Sequence, residues 1–237
     1  AATIADHYDR SSSPREAAQW FATAADQALE TGEFALAAEH AERGALAGAT
    51  GVLLGRLRRI QTEAHRHDGE NTKMFERAAD AMELLPPATP GWWTATANAM
   101  LGATRIGRRE ECERLSRLVM DQPIAALPAV ARIGLYLLHV GKTDESDRLL
   151  ATLALRCDQQ AVPEARRGWL HRARAYRAMF AGDLGGYVAH AKLATNAFEQ
   201  GGDTRELALE LVAMGYVHHE LGMYEESETA LREALGY

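Results

Sequence analysis

Residues 139–146 read HVGKTDES, and Gly141-Lys142-Thr143 is the closing triplet of a phosphate-binding loop. Such a loop needs Gly-x-x-x-x-Gly-Lys-[Ser/Thr] after a buried strand, because the first glycine lets backbone N–H groups curl around the phosphates before the lysine and hydroxyl engage them. Here Tyr136 stands in the place of that first glycine. The preceding apolar run, Ala129–Val140, fits a strand or a buried helix equally well, and its own periodicity does not separate them.

The other chemically able residues lack the spacing their chemistry needs. Nine histidines include His65-Arg66-His67 and His218-His219, but zinc on a helix wants His-x-x-x-His plus further ligands, and no pair has that spacing. Cys112 and Cys157 have no neighbour in sequence that would activate a thiolate, and two cysteines fit a reduced compartment better than a disulfide framework. The carboxylate runs EECER, TDESD and YEESE follow turns, where acids meet a helix N-terminal dipole favourably. Neither a kinase His-Arg-Asp or Asp-Phe-Gly nor a Gly-x-Gly-x-x-Gly occurs. The expectation is a chain with no catalytic residues, no cofactor and no metal.

The elements that would hold these residues are helices. Ala, Leu, Glu and Arg dominate, β-branched runs are few, and the seven prolines sit at helix boundaries. A net charge of −7 argues against nucleic acid as a partner. The longest apolar run, Ile124–Ala131, is broken by Pro128 and falls far short of the roughly 20 residues that span a bilayer. The opening AATIADHYDR has neither an initiator Met nor a signal segment, so the chain reads as a piece of a longer, cytoplasmic protein.

Six helix-breaking glycines, Gly32, Gly69, Gly107, Gly141, Gly182 and Gly222, are spaced by 37, 38, 34, 41 and 40 residues. Small or apolar residues recur five, nine and twelve positions after each, as Ala37, Ala41 and Gly44 in the first copy and Ser146, Leu150 and Leu153 in the fourth. Seven positions before stand Ala25, Thr62, Met100, Gly134, Ala175 and Gly215, small enough in most copies for two helices to approach closely. This pattern resembles the tetratricopeptide repeat, a helix–turn–helix of about 34 residues. The resemblance implies an all-α, right-handed superhelix of about six degenerate helix pairs, about thirteen helices in a single domain over residues 1–237. Arg58, Gln61, His171 and Arg174 fall where apolar residues are expected, and the stripe Trp169, Ala173, Tyr176 and Phe180 points to a register one residue off in the fifth copy. At the start, Ile4–Arg10 reads as a remnant helix, and Ser11-Ser12-Ser13-Pro14 as the cap of a helix running to about Thr31.

The opening through HRHDGE, and on to FEQGGDTRELALELVAMGYV, also resembles the helical C-terminal region of large bacterial, myxobacterial-type signalling proteins. Those join a serine/threonine kinase domain to an ATPase module and a repeat array. The resemblance implies a non-catalytic interaction or sensing module of a signalling protein, the parent being the kinase.

In the tetratricopeptide class the first helix of each pair lines a concave, peptide-binding groove. Carried over, this places Arg56, Arg59, Glu63 and Arg66 of the second copy near the groove, with Asn98 and Arg105 of the third and Arg132 and His139 of the fourth. Trp169, Arg172 and Tyr176 follow, then Tyr216 and His219. Arginine pairs bidentately with carboxylate or phosphate, so a locally basic groove suits an acidic or phosphorylated protein segment. The competing expectation is that these arginines pair with glutamates inside the stack. Two further readings stand beside it: a small-ligand pocket around Trp92, Trp93, Trp169 and Tyr176, and a self-associating scaffold, which an exposed apolar patch at either end would favour.

Overall fold

Each of the six turn glycines ends its helix in the same way. Gly141 takes φ +74°, the left-handed region where a Cβ is strained, and its five counterparts lie between +72° and +78°. One residue further on, the backbone N–H reaches back five residues: Lys142 to the Leu137 carbonyl at 2.9 Å, Glu33 to Ala28 at 2.8 Å, Glu70 to His65 at 3.0 Å. Arg108 to Ala103, Asp183 to Ala178 and Met223 to His218 repeat it at 2.8–2.9 Å. This closure satisfies carbonyls that a helix end would otherwise leave open and reverses the chain within about three residues. Gly141-Lys142-Thr143 is therefore an inter-helix turn, preceded by a helix rather than a strand.

The computed structural model describes residues 1–10, 13–120 and 126–237. Among them are thirteen α-helices, a short 3-10 turn at Glu164–Arg166 and no strand. The chain forms two compact units, Ala1–Ala129 and Val130–Tyr237. The first unit holds α1 (Ala2–Arg10), α2 (Pro14–Glu30), α3 (Phe34–Leu46), α4 (Gly51–Asp68), α5 (Asn71–Leu84), α6 (Pro90–Arg105) and α7 (Arg109–Met120). Here each helix packs on the next, and α4 also touches both α2 and α6. The second unit holds α8 (Leu127–His139, its first residues preceding the boundary), α9 (Thr143–Gln159), α10 (Gly168–Phe180), α11 (Leu184–Gly201), α12 (Thr204–Glu220) and α13 (Tyr224–Ala234). Ser11 and Ser12 of the expected cap, and Ile124 and Ala125 of the apolar run, lie outside the described residues.

The small-residue positions are the places where paired helices cross. Ala25, Ala37 and Ala41 share one buried cluster in the first pair, and Ala175, Tyr187 and Ala191 occupy the same register positions in another. The glycine-based register thus holds in the fifth copy, and no shift by one residue is needed. At one such crossing Gly134 stands close against the facing helix: a Cβ there would sit 2.8 Å from Leu150 Cδ2.

Three of the four residues that broke the apolar pattern, Arg58, Gln61 and His171, have polar partners. Gln61, buried in α4, donates from Nε2 to Glu42 Oε2 of α3 at 2.8 Å and accepts from Arg58 Nη1 at 2.7 Å, while Arg58 reaches the same Glu42 oxygen at 3.0 Å. His171 lies 2.6 Å from Glu164 of the 3-10 turn through its Nε2.

The expected cap of α2 is corrected. Ser13 stands before α2, with Pro14 in the first turn, but its side chain makes no capping bond. Thr143 is already inside α9, and the position before that helix belongs to Lys142. The acids do sit where the dipole favours them: Asp144 and Glu145 in the first turn of α9, Glu110 and Glu111 in that of α7, Glu225 and Glu226 in that of α13. Among the described residues no helix is long and apolar enough to cross a membrane.

Candidate functional site

In the first unit the first helices of successive pairs, α2, α4 and α6, present a row of polar side chains linked from helix to helix. Arg56 Nε donates to Asp26 Oδ2 at 2.7 Å, and Arg59 Nη2 donates to Asp26 Oδ1 at 3.1 Å. One turn along, Arg66 Nε donates to Glu63 Oε2 at 3.1 Å. Asn98, fully buried in α6, reaches back to α4 and donates to Glu63 Oε1 at 2.7 Å and to Thr62 Oγ1 at 2.8 Å. Arg105 closes the row by donating to the neutral side chain of Asn71 at 3.2 Å.

Three guanidinium groups on this surface thus meet two carboxylates, Asp26 and Glu63, and a fourth, that of Arg105, meets only an amide. Asp26 is shared between two arginines, and the Arg56 side chain stays 45% exposed. The surface carries a local positive excess on an acidic chain, with its side chains already held in place. Asp26 was not among the expected site residues, although the register points to it: it stands six residues before Gly32, as Glu63 does before Gly69.

The corresponding residues of the second unit are placed differently. Arg172 of α10 is buried and engages two acids of α12: Nε donates to Glu210 Oε2, Nη1 to Glu206 Oε2, and Nη2 to the Glu206 carbonyl at 2.6 Å. Its guanidinium carbon lies 4.5 Å from the Trp169 ring centroid and 4.6 Å from that of Phe198. Arg132 of α8, also buried, lies 5.5 Å from the Trp169 ring and donates to the Tyr136 hydroxyl at 3.4 Å. Both side chains lie within the helix stack rather than on an open surface.

Burial pushes the Glu210 carboxyl above the ordinary carboxylate range in spite of Arg172, and Glu210 Oε1 is enclosed without a hydrogen-bond partner. Burial likewise raises the Tyr176 hydroxyl, whose ring meets Tyr187 edge-on at 6.0 Å. His139, with Nδ1 against the Leu135 carbonyl at 3.1 Å, meets Phe180 edge-on at 5.2 Å. Tyr216 is 69% exposed on α12, and His219 meets the Tyr224 ring at 5.4 Å.

Both thiols are buried, and burial raises them above the ordinary cysteine range, which disfavours thiolate. Among the described residues no three His, Cys, Asp or Glu side chains gather as metal ligands. Of the expected aromatic pocket, Trp92 and Trp93 belong to the first unit, where both are buried at the start of α6 with ring centroids 5.2 Å apart. Trp169 and Tyr176 belong to the second, where Trp169 packs beside Phe198.

No family model matches the chain, and no curated protein does. Among solved structures, a tetratricopeptide repeat protein from Parabacteroides merdae superposes with a TM-score of 0.51 over 92% of this chain and 92% of its own, at 11% sequence identity. The chain is thus an all-helical array with a tetratricopeptide-like fold.

Proposed function

We propose that this chain is a non-catalytic protein-interaction module, and that the α2–α4–α6 surface receives an acidic or phosphorylated segment of a partner protein. The carrying observation is the row of four arginines with only two carboxylates among them: Asp26 of α2 holds Arg56 and Arg59, Glu63 of α4 holds Arg66 and accepts from Asn98 of α6, and Arg105 rests on Asn71 of α5. Prearranged guanidinium groups lose little side-chain freedom when a carboxylate or phosphate arrives, and they offer it bidentate geometry. Arg56 and Arg59, sharing one aspartate, have donor capacity left for such a group. The tetratricopeptide-like fold and the resemblance to repeat regions of bacterial kinase–ATPase proteins support a module of a larger signalling protein.

A peptide array of acidic, phosphorylated, neutral and basic segments, followed by fluorescence anisotropy on the retained peptides, tests this reading. The acidic and phosphorylated members should bind the chain and weaken steeply with salt. Arg56→Glu combined with Arg59→Glu should lower their affinity by about tenfold or more. Retention unchanged by that double reversal contradicts the proposal.

A further inference from the structure

The interface between α10 and α12 shows what a first helix does with the stripe that lies thirteen, ten and six residues before its turn glycine. On α10 these positions are Trp169, Arg172 and Tyr176, and α12 covers them: Trp169 packs against the Leu207 and Leu211 cluster, Tyr176 against Met214 and Val217, and Arg172 engages Glu206 and Glu210. On α12 itself the same positions are Leu209, Val212 and Tyr216, and they are 49%, 37% and 69% exposed. An apolar stripe that the fold buries one pair earlier is open here.

We infer that this face of α12 pairs with the same face of a second copy of the chain, antiparallel, about a two-fold axis passing between Val212 and Ala213. A two-fold contact requires a surface that complements itself. Counting outward from that centre, Leu209 falls opposite Tyr216 of the second copy, Arg205 opposite Glu220, and the two Val212 side chains meet near the axis. The apolar residues thus occupy the middle, and the opposite charges fall at the two rims, each pairing occurring twice. The stripe 205, 209, 212, 216 alternates steps of four and three, the spacing with which two helices keep contact along their length. A parallel arrangement would set Arg205 against Arg205 and Glu220 against Glu220. The inference is independent of the arginine surface of the first unit, since it uses neither its residues nor its ligand.

Sedimentation equilibrium of the chain between about 1 and about 200 μM should show a reversible species of twice the chain mass. Tyr216→Glu should leave monomer alone, with an unchanged helical circular dichroism spectrum, since Tyr216 is exposed. Arg205→Glu and Glu220→Arg should each weaken association by about tenfold, and the two together should restore it to within about threefold. Val212→Cys should cross-link two copies on oxidation, a reaction the buried Cys112 and Cys157 cannot mimic. Wild-type chain that stays monomeric over the whole range, as it would if a different protein or a further helix were the natural occupant, overturns the inference. So does a dimer that survives Tyr216→Glu, or a charge swap that fails to restore association.

Discussion

Ser146 Oγ, buried in α9, donates to the carbonyl of Gly134 in α8 at 2.7 Å, and Ser227 repeats the bond to Gly215 between α12 and α13 at 2.8 Å. Both bonds form where a glycine seven residues before the turn meets a serine five residues after it. The absent Cβ lets the second helix come close enough for its hydroxyl to bond the backbone of the first.

These two crossings should respond differently to a methyl group. A Cβ on Gly134 would press Leu150, which is buried, and a Cβ on Gly215 would press Leu231, which is 39% exposed and has room to turn away. Gly134→Ala should therefore cost about 1–3 kcal/mol in chemical denaturation, and Gly215→Ala distinctly less. Ser146→Ala should cost about 1 kcal/mol for the lost hydrogen bond. Equal losses for the two glycines would contradict the packing argument.

The turn at Gly141 carries a second prediction. Gly141→Ala should destabilise by about 1–2 kcal/mol because its φ of +74° is strained for a side chain, and Gly141→Asn by less. Lys142→Ala, which removes a part-exposed pair with Glu145 at 3.7 Å, should change stability by about 0.5 kcal/mol or less. Calorimetric titration of the chain with magnesium–ATP should give no binding heat that depends on Lys142.

Arg172 offers the largest single effect. Arg172→Met leaves Glu206 and Glu210 buried without their cation and should cost about 3–5 kcal/mol. Glu210→Gln should behave in the opposite sense. Because burial raises the Glu210 carboxyl, the folded chain binds its proton more tightly than the unfolded chain does. That contribution is complete below the unfolded value and is lost as pH rises through the folded one. The stability of the Gln variant relative to wild type should therefore increase from acidic to neutral pH, measured by urea denaturation across that range. A relative stability that falls instead would show that attraction to Arg172 outweighs burial.

Glu42 should titrate the other way. The Gln61 hydrogen bond, with the Arg58 guanidinium behind it, holds its carboxyl below the ordinary value of 4.5. Its contribution to stability is present above the unfolded value and is lost as pH falls through the folded one. Gln61→Leu should move the Glu42 midpoint, followed by carboxyl NMR, upward toward that of a free glutamate. An unmoved midpoint would assign the effect to Arg58 alone.

Much of the architecture is legible in the residues themselves. The six glycines and the small residues at fixed offsets from them predict the turns, the pairing of helices and the count of thirteen, because a left-handed helix end and a close crossing each tolerate few residue types. The acids at the starts of α7, α9 and α13 are predictable for the same local reason, the field of one helix end.

What each arginine does was decided by the fold. Arg59 and Arg172 hold the same position, ten residues before their turn glycines, yet one shares Asp26 with Arg56 on the row of first helices while the other is buried against two glutamates and two aromatic rings. Their partners lie 33 to 38 residues away in sequence, on neighbouring helices, and a guanidinium takes whichever acid the packing brings within reach. The exposure of Leu209, Val212 and Tyr216 is likewise invisible locally, since the equivalent positions on α10 are covered by a helix. Helix ends and crossings follow from steric limits of single residues and are written in the sequence, whereas charge pairing and burial depend on which surfaces meet and belong to the tertiary structure.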